Sequence, residues 1–200
     1  MSFPIDDPCP HDFGFSVFAA KWPVNDLTYS FMPDGTVIGV QRNTLFTGLS
    51  HLNYTSYNLW QDEFRRALAC WASVTPLTFR EVPDNGSPAN TIGQVINDPR
   101  FGDIRFGGFN STSVSWFGYT YAPSQSATRG GDVTLNTTFR YMIGSYPDLF
   151  TVVLHETGHS LGLNHSLIKG AAMYPYIGNP IAGLTDDDIA GIQSIYGKKV

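Results

Sequence analysis

Of the five histidines in this 200-residue sequence, three fall inside eleven positions, His155-Glu156-Thr157-Gly158-His159-Ser160-Leu161-Gly162-Leu163-Asn164-His165. Histidines four apart on a helix project from one face, within about 40° of each other. Two imidazoles stacked in that way form a chelating pair for zinc. A continued helix would carry His165 about 240° away from His159, so the chain has to break between them. Gly162 is the residue that can make the break, because glycine enters φ > 0 cheaply. Three neutral imidazoles leave a fourth position of a tetrahedral zinc open to water. Glu156 follows the first ligand and is placed to take that water's proton and pass it to a leaving amine. The chemistry such a pattern serves is metal-assisted hydrolysis. Chance delivers these five fixed positions on the order of once in 10^4 chains of this length.

The elements that must position these residues are legible in outline. A helix starting near Ser145, with Pro147 in its first turn and Asp148 as capping-box partner, would carry His155 to His159. A longer helix spans about Tyr57 to Val74, where Trp60, Phe64, Leu68 and Trp71 recur at helical spacing and Thr75-Pro76 ends it. A third helix begins at Thr185-Asp186-Asp187-Asp188 and runs to Tyr196-Gly197. Strands are expected at Leu27–Phe31, Leu77–Val82, Asp103–Phe106 and Asp132–Leu135. Val114–Tyr121 reads as an edge strand, since Ala122-Pro123 stops it. Strands early and helices at the middle and end make the class α+β.

Composition narrows the partners. With 12 Lys+Arg against 17 Asp+Glu the net charge is −5, and no basic cluster exceeds Arg65-Arg66 or Lys198-Lys199, so nucleic acid is excluded. No apolar run reaches the length of a membrane span. Residues 1–12 read as an extended arm ahead of a single domain over 13–200, and they lack the basic and apolar parts of a signal peptide. Cys9 and Cys70 are consistent with a disulfide or with two free thiols.

The extended motif resembles that of the metzincin zinc endopeptidases. Ser166 after the third histidine, together with Ala172-Met173-Tyr174-Pro175, is similar to the matrixins, the matrix-metalloproteinase family. Lys21-Trp22-Pro23, Val74-Thr75-Pro76-Leu77-Thr78-Phe79 and the Leu184–Gly197 segment extend the likeness along nearly the whole chain from Phe18. The resemblance implies a zincin-like fold: a twisted five-stranded mixed sheet with three helices, and a cleft between upper and lower subdomains. It implies a secreted, extracellular, monomeric endopeptidase acting on protein or peptide substrates, with one catalytic zinc on His155, His159 and His165 and Glu156 as general base and acid. Met173 would floor the site. Thr151, Pro175 and Ile177 would shape a pocket for a hydrophobic residue after the scissile bond, and the edge strand would pair with an extended substrate. Structural calcium is implied at Asp103 and Asp132, with carbonyls of Thr128 and Gly130.

Some features depart from the family. A second, structural zinc cannot be built, because only His11 and His51 remain and its histidine positions fall on Tyr119 and Thr134. The stretch from Phe31 to Tyr57 has no family counterpart. Asp187 or Asp188 would receive a freed N-terminal amine or simply favour the helix dipole. Residues 1–12 would be a pro-segment remnant if Cys9, in Asp7-Pro8-Cys9-Pro10, serves as a latency ligand. A binding protein on the same fold is the rival reading, against which the intact Glu156 and Gly162 argue.

Overall fold

A computed structural model describes residues 13–54 and 57–199. The expected arm over residues 1–12, with Cys9 and His11, lies outside the described residues. The apolar stripe on α2 (Leu59–Val74) is the centre of the core: Trp60, Phe64 and Trp71 are fully buried and Leu68 nearly so. Phe31, Phe64 and Phe106 meet the ring of Trp60 or one another edge-on or tilted, an arrangement aromatic quadrupoles favour.

That stripe packs on one face of a five-stranded sheet of β1 (Asp26–Phe31), β6 (Thr78–Glu81), β7 (Ile104–Phe109), β8 (Gly118–Thr120) and β9 (Val133–Asn136). The order is β6-β1-β7-β9-β8, parallel except for β8, which runs antiparallel to β9 at the edge. Helix α3 (Leu149–Ser160) packs against α2 and the β8–β9 edge, and α4 (Asp186–Tyr196) packs against α2. The α+β class and the mixed five-stranded sheet are as the sequence implies.

Two expectations need correction. The helix carrying the histidines begins at Leu149, not near Ser145: Asp148 is itself the N-cap, its Oδ2 accepting from Thr151 N at 2.9 Å and its Oδ1 from Gly144 N at 2.7 Å. One carboxylate thus closes the preceding turn and opens the helix. The edge strand is only three residues long. Asn136 donates from its Nδ2 to the carbonyls of Ser113 and Trp116, and Ser111 N donates to Thr138 Oγ1 at 2.9 Å, so side-chain bonds replace the ladder over residues 111–116. The stretch after β1, which has no family counterpart, has a structure of its own. It folds into the hairpin of β2 (Val37–Ile38) and β3 (Gln41–Arg42), a fourth helix α1 (Leu45–Leu49), a 3₁₀ turn over Ser50–Leu52, and the pair β4 (Asn53–Tyr54) and β5 (Tyr57–Asn58). Asp34 organises it by accepting from Phe46 N, Thr47 N and Thr47 Oγ1.

Candidate metal centre

Helix α3 is enclosed almost all round, every residue of it except His159 being buried, so its position is fixed by packing on every side. It ends as glycine-terminated helices do: Gly162, at φ 104°, donates to His159 O, and Leu163 N donates to Gly158 O, both at 3.0 Å. A Cβ on Gly162 would stand 2.7 Å from the carbonyl oxygen of Ala20. The reversal returns His165 to the helix, and one ligand atom from each of His155, His159 and His165 lies within 4.8 Å of the others.

The backbone chooses the tautomers. His155 Nδ1 lies 2.7 Å from Ala172 O and His159 Nδ1 lies 2.8 Å from Leu163 O. A carbonyl only accepts, so both Nδ1 atoms carry the proton and both Nε2 atoms present lone pairs. Those two Nε2 atoms are 3.1 Å apart with no proton to share, an arrangement that a cation between them would stabilise. Burial, aided by the neighbouring imidazoles, pushes His155 down to about 3, and burial pushes His159 down to about 4. His165 is lowered by burial as well. Neutral nitrogen donors converging on one point fit zinc.

Glu156 is 4% exposed, and burial raises its carboxyl to about 7 against the opposing hydrogen bond from Thr120. Its side chain rests under β8, where a Cβ on Gly118 would meet Oε1 at 2.8 Å. The cleft over these residues encloses about 480 Å³ between the rim Ser115–Thr120, the histidines with Glu156, and Pro175, Tyr176 and Ile177.

Met173 is buried beneath α3, and a Cβ on Gly158 would fall 2.2 Å from its Sδ. The turn that carries it is held by Asp188, fully buried, whose carboxylate accepts from Ala172 N (2.9 Å), Met173 N (3.0 Å) and Thr185 N (2.8 Å). Asp187, the other acid considered for a terminal amine, accepts from the backbone of Gly14 and Phe15 with Oδ1 and from Ser166 Oγ with Oδ2.

Pro175 and Ile177 line the cleft, whereas Thr151 faces an adjoining cavity of about 280 Å³ that also has Ile177, Ala172 and Ile181 in its wall. The Thr151 hydroxyl donates to Asp148 Oδ2 and accepts from Ile181 N. Of the residues considered for calcium, Asp132 is buried with Oδ2 lacking any hydrogen-bond partner among the described residues, and burial raises it to about 8. An orphaned buried carboxylate oxygen of this kind fits a hard cation. Asp103 is differently engaged, its Oδ2 accepting from Thr28 N and Oγ1 and its Oδ1 from Asn97 N. Thr128 Oγ1 donates to Thr91 O, and Gly130 N donates to Ala127 O. Tyr119 and Thr134 face each other directly across β8 and β9, while the ring nitrogens of His51 lie 3.1 Å from Gly48 O and 2.8 Å from Tyr141 O, so one of the two donates to a carbonyl.

Sequence reasoning missed Thr120 and Gly118, which touch Glu156, and the grip of Asp188 on the Met173 turn. For Asp188 a signal existed, since Thr185 and Asp188 form a capping box, but its second set of partners lies 15 and 16 residues away.

Comparison with known proteins agrees with this geometry. The chain is 38% identical over 148 residues to the hatching enzyme of Paracentrotus lividus, covering 68% of this chain and 22% of that protein. It is 36% identical over 149 residues to matrix metalloproteinase-16 of Homo sapiens, covering 66% and 23%. Interstitial collagenase of Oryctolagus cuniculus is 36% identical over 159 residues, covering 74% and 32%. The chain therefore spans less than a third of the length of each of these relatives. A family model described as matrixin matches residues 21–197, and this chain belongs to the matrixin family of zinc metalloendopeptidases.

Proposed function

We propose that residues 13–200 form the catalytic domain of a secreted, monomeric endopeptidase that cleaves extended protein chains before a hydrophobic residue. The observation that carries this reading is the convergence of three imidazole nitrogens beside a buried, proton-ready Glu156. Zinc held by His155, His159 and His165 would supply Lewis acidity towards a carbonyl and towards water. Glu156 accepts one proton from water as its oxygen adds to the carbonyl carbon, then returns that proton to the amide nitrogen as the C–N bond breaks. Met173 and Asp188 keep the histidine helix and the returning loop in register beneath.

An extended substrate would add a strand to β8, which lies at the sheet edge. The cavity shared by Ile177 and Thr151 would take the hydrophobic side chain, with Pro175 at its mouth. Calcium would bind Asp132 with the carbonyls of Thr128 and Gly130, and Asp103 would brace the neighbouring strand end. Residues 1–12 would be an arm outside the catalytic unit. The test is cleavage of a quenched fluorescent peptide with Leu after the scissile bond, alongside Glu156→Ala, with zinc content measured in both. Turnover should fall by about 10^3-fold or more in the variant while zinc is retained. A folded, zinc-loaded wild type that cleaves no peptide would overturn the reading in favour of a binding protein.

A further inference from the structure

A carboxylate has two oxygens and turns readily about its last bond, so a general base is effective only if one oxygen is held and the other is free. Thr120 and Gly118 lie two apart on β8 and therefore on the same face of the strand, and both meet Glu156. Thr120 Oγ1 is 2.6 Å from Glu156 Oε2 and 3.2 Å from Glu156 O. A hydroxyl has one proton, and the shorter contact to the desolvated carboxylate is the stronger claim on it. Glu156 Oε1 accepts no hydrogen bond among the described residues, yet it is not sealed from the cleft that Glu156 lines. The missing side chain of Gly118 leaves Oε1 its room, since an added Cβ would stand 2.8 Å away.

We propose that Thr120 is a positioning residue, whose hydroxyl pins Oε2 of Glu156 so that Oε1 is the oxygen that takes the proton from water. The proposal rests on the peptidase reading above. The same hydrogen bond serves both halves of the reaction. With Glu156 protonated on Oε1, Thr120 still donates to Oε2, so the proton stays on the oxygen facing the amide nitrogen that must receive it. Without the hydroxyl, the carboxyl rotates between two orientations, and the acid form can hold its proton away from the leaving group. Ground-state binding of the peptide makes no use of this bond.

The experiment compares Thr120→Val, nearly isosteric but without the hydroxyl, with Thr120→Ser, which restores it, and with Thr120→Ala in case valine perturbs the strand. Wild-type turnover is measured in the same series, so loss of the peptidase reading would be visible there first. Thr120→Val should lower kcat by about 100-fold, the scale of a misplaced catalytic group, with KM unchanged and zinc content retained. Thr120→Ser should recover most of kcat. A second readout is independent of turnover: in zinc-free protein, the 13C resonance of the Glu156 side-chain carboxyl, assigned by its loss in Glu156→Gln, should move in Thr120→Val and return in Thr120→Ser. Valine and serine variants equal to wild type in kcat, a loss expressed in KM alone, failure of serine to rescue, or an unmoved carboxyl resonance would each overturn the proposal.

Discussion

On the floor of the cleft, His155, His159 and Met173 are held by buried groups from elsewhere in the chain, whereas the rim above it is a three-residue strand whose side chains are half-buried. His155 leans on Ala172 O, Ala172 and Met173 hang from Asp188, and Met173 sits against Gly158. The rim has β9 on one side only, and the segment before it is tied by Asn136 and by serine and threonine hydroxyls. The difference separates two duties. Metal geometry needs donors fixed to a fraction of an ångström, so its supports are rigid and desolvated; a surface that receives varied peptides gains from an edge that can adjust.

The sharpest way to break this contrast is Asp188→Ala. It strands several buried donors at once and should cost about 4 kcal/mol in urea unfolding, because each orphaned group costs about 1–3 kcal/mol. Ala172 O would lose its anchor too, so zinc affinity measured by chelator competition should fall about 10- to 100-fold. A stability near wild type would show that the floor does not depend on this carboxylate.

A middle-sized effect concerns the sheet away from the floor. Asp132 keeps its proton in the folded protein up to about pH 8 but loses it near 3.8 when unfolded. Between those values the folded state binds more protons, so stability falls as pH rises through the window. Thermal midpoints should therefore decline between about pH 7 and pH 8 in calcium-free wild type, where only the tail of the unfolded histidines' titration, common to wild type and variant, remains. They should decline less in Asp132→Asn, and added calcium should raise the wild-type midpoint at the higher pH but not the variant's. An equal slope in both proteins would remove Asp132 as its source.

The smallest change in stability is expected at the rim. Trp116 meets Phe109 and Tyr119 edge-to-face and borders the cleft. Trp116→Ala should cost no more than about 1.5 kcal/mol while raising KM several-fold at constant zinc affinity. Were zinc affinity to drop instead, floor and rim would not be separable.

The same division governs what could be read from the amino-acid order. His155, Glu156, His159 and the break at Gly162 share one helix and its exit, so spacing alone displays them. The α2 stripe is equally plain, since its apolar residues recur through about three turns. Contacts such as Thr120 to Glu156, 36 residues apart, or Thr28 to Asp103, 75 apart, leave no local trace. Asp148 was placed one role too late because an aspartate after Pro147 suits either a capping partner or the cap itself. Elements of two to five residues between Val37 and Asn58 are too short to show a period, and Asp34 holds them from outside.

Gly158 carries a last implication. Within the pattern that begins at His155, the two residues between Glu156 and His159 look interchangeable on paper, yet the second has Met173 Sδ where its side chain would begin and Trp71 at 3.0 Å. In this architecture the fourth place of the motif is a clearance, and anything larger than hydrogen would force Met173 or the helix to move. A helix bearing the same two histidines and glutamate above a bulkier residue could be written into another scaffold and still find no such seat. Motif searches for this kind of centre gain discrimination by demanding glycine there, and designers copying the ligands would need to copy the gap as well.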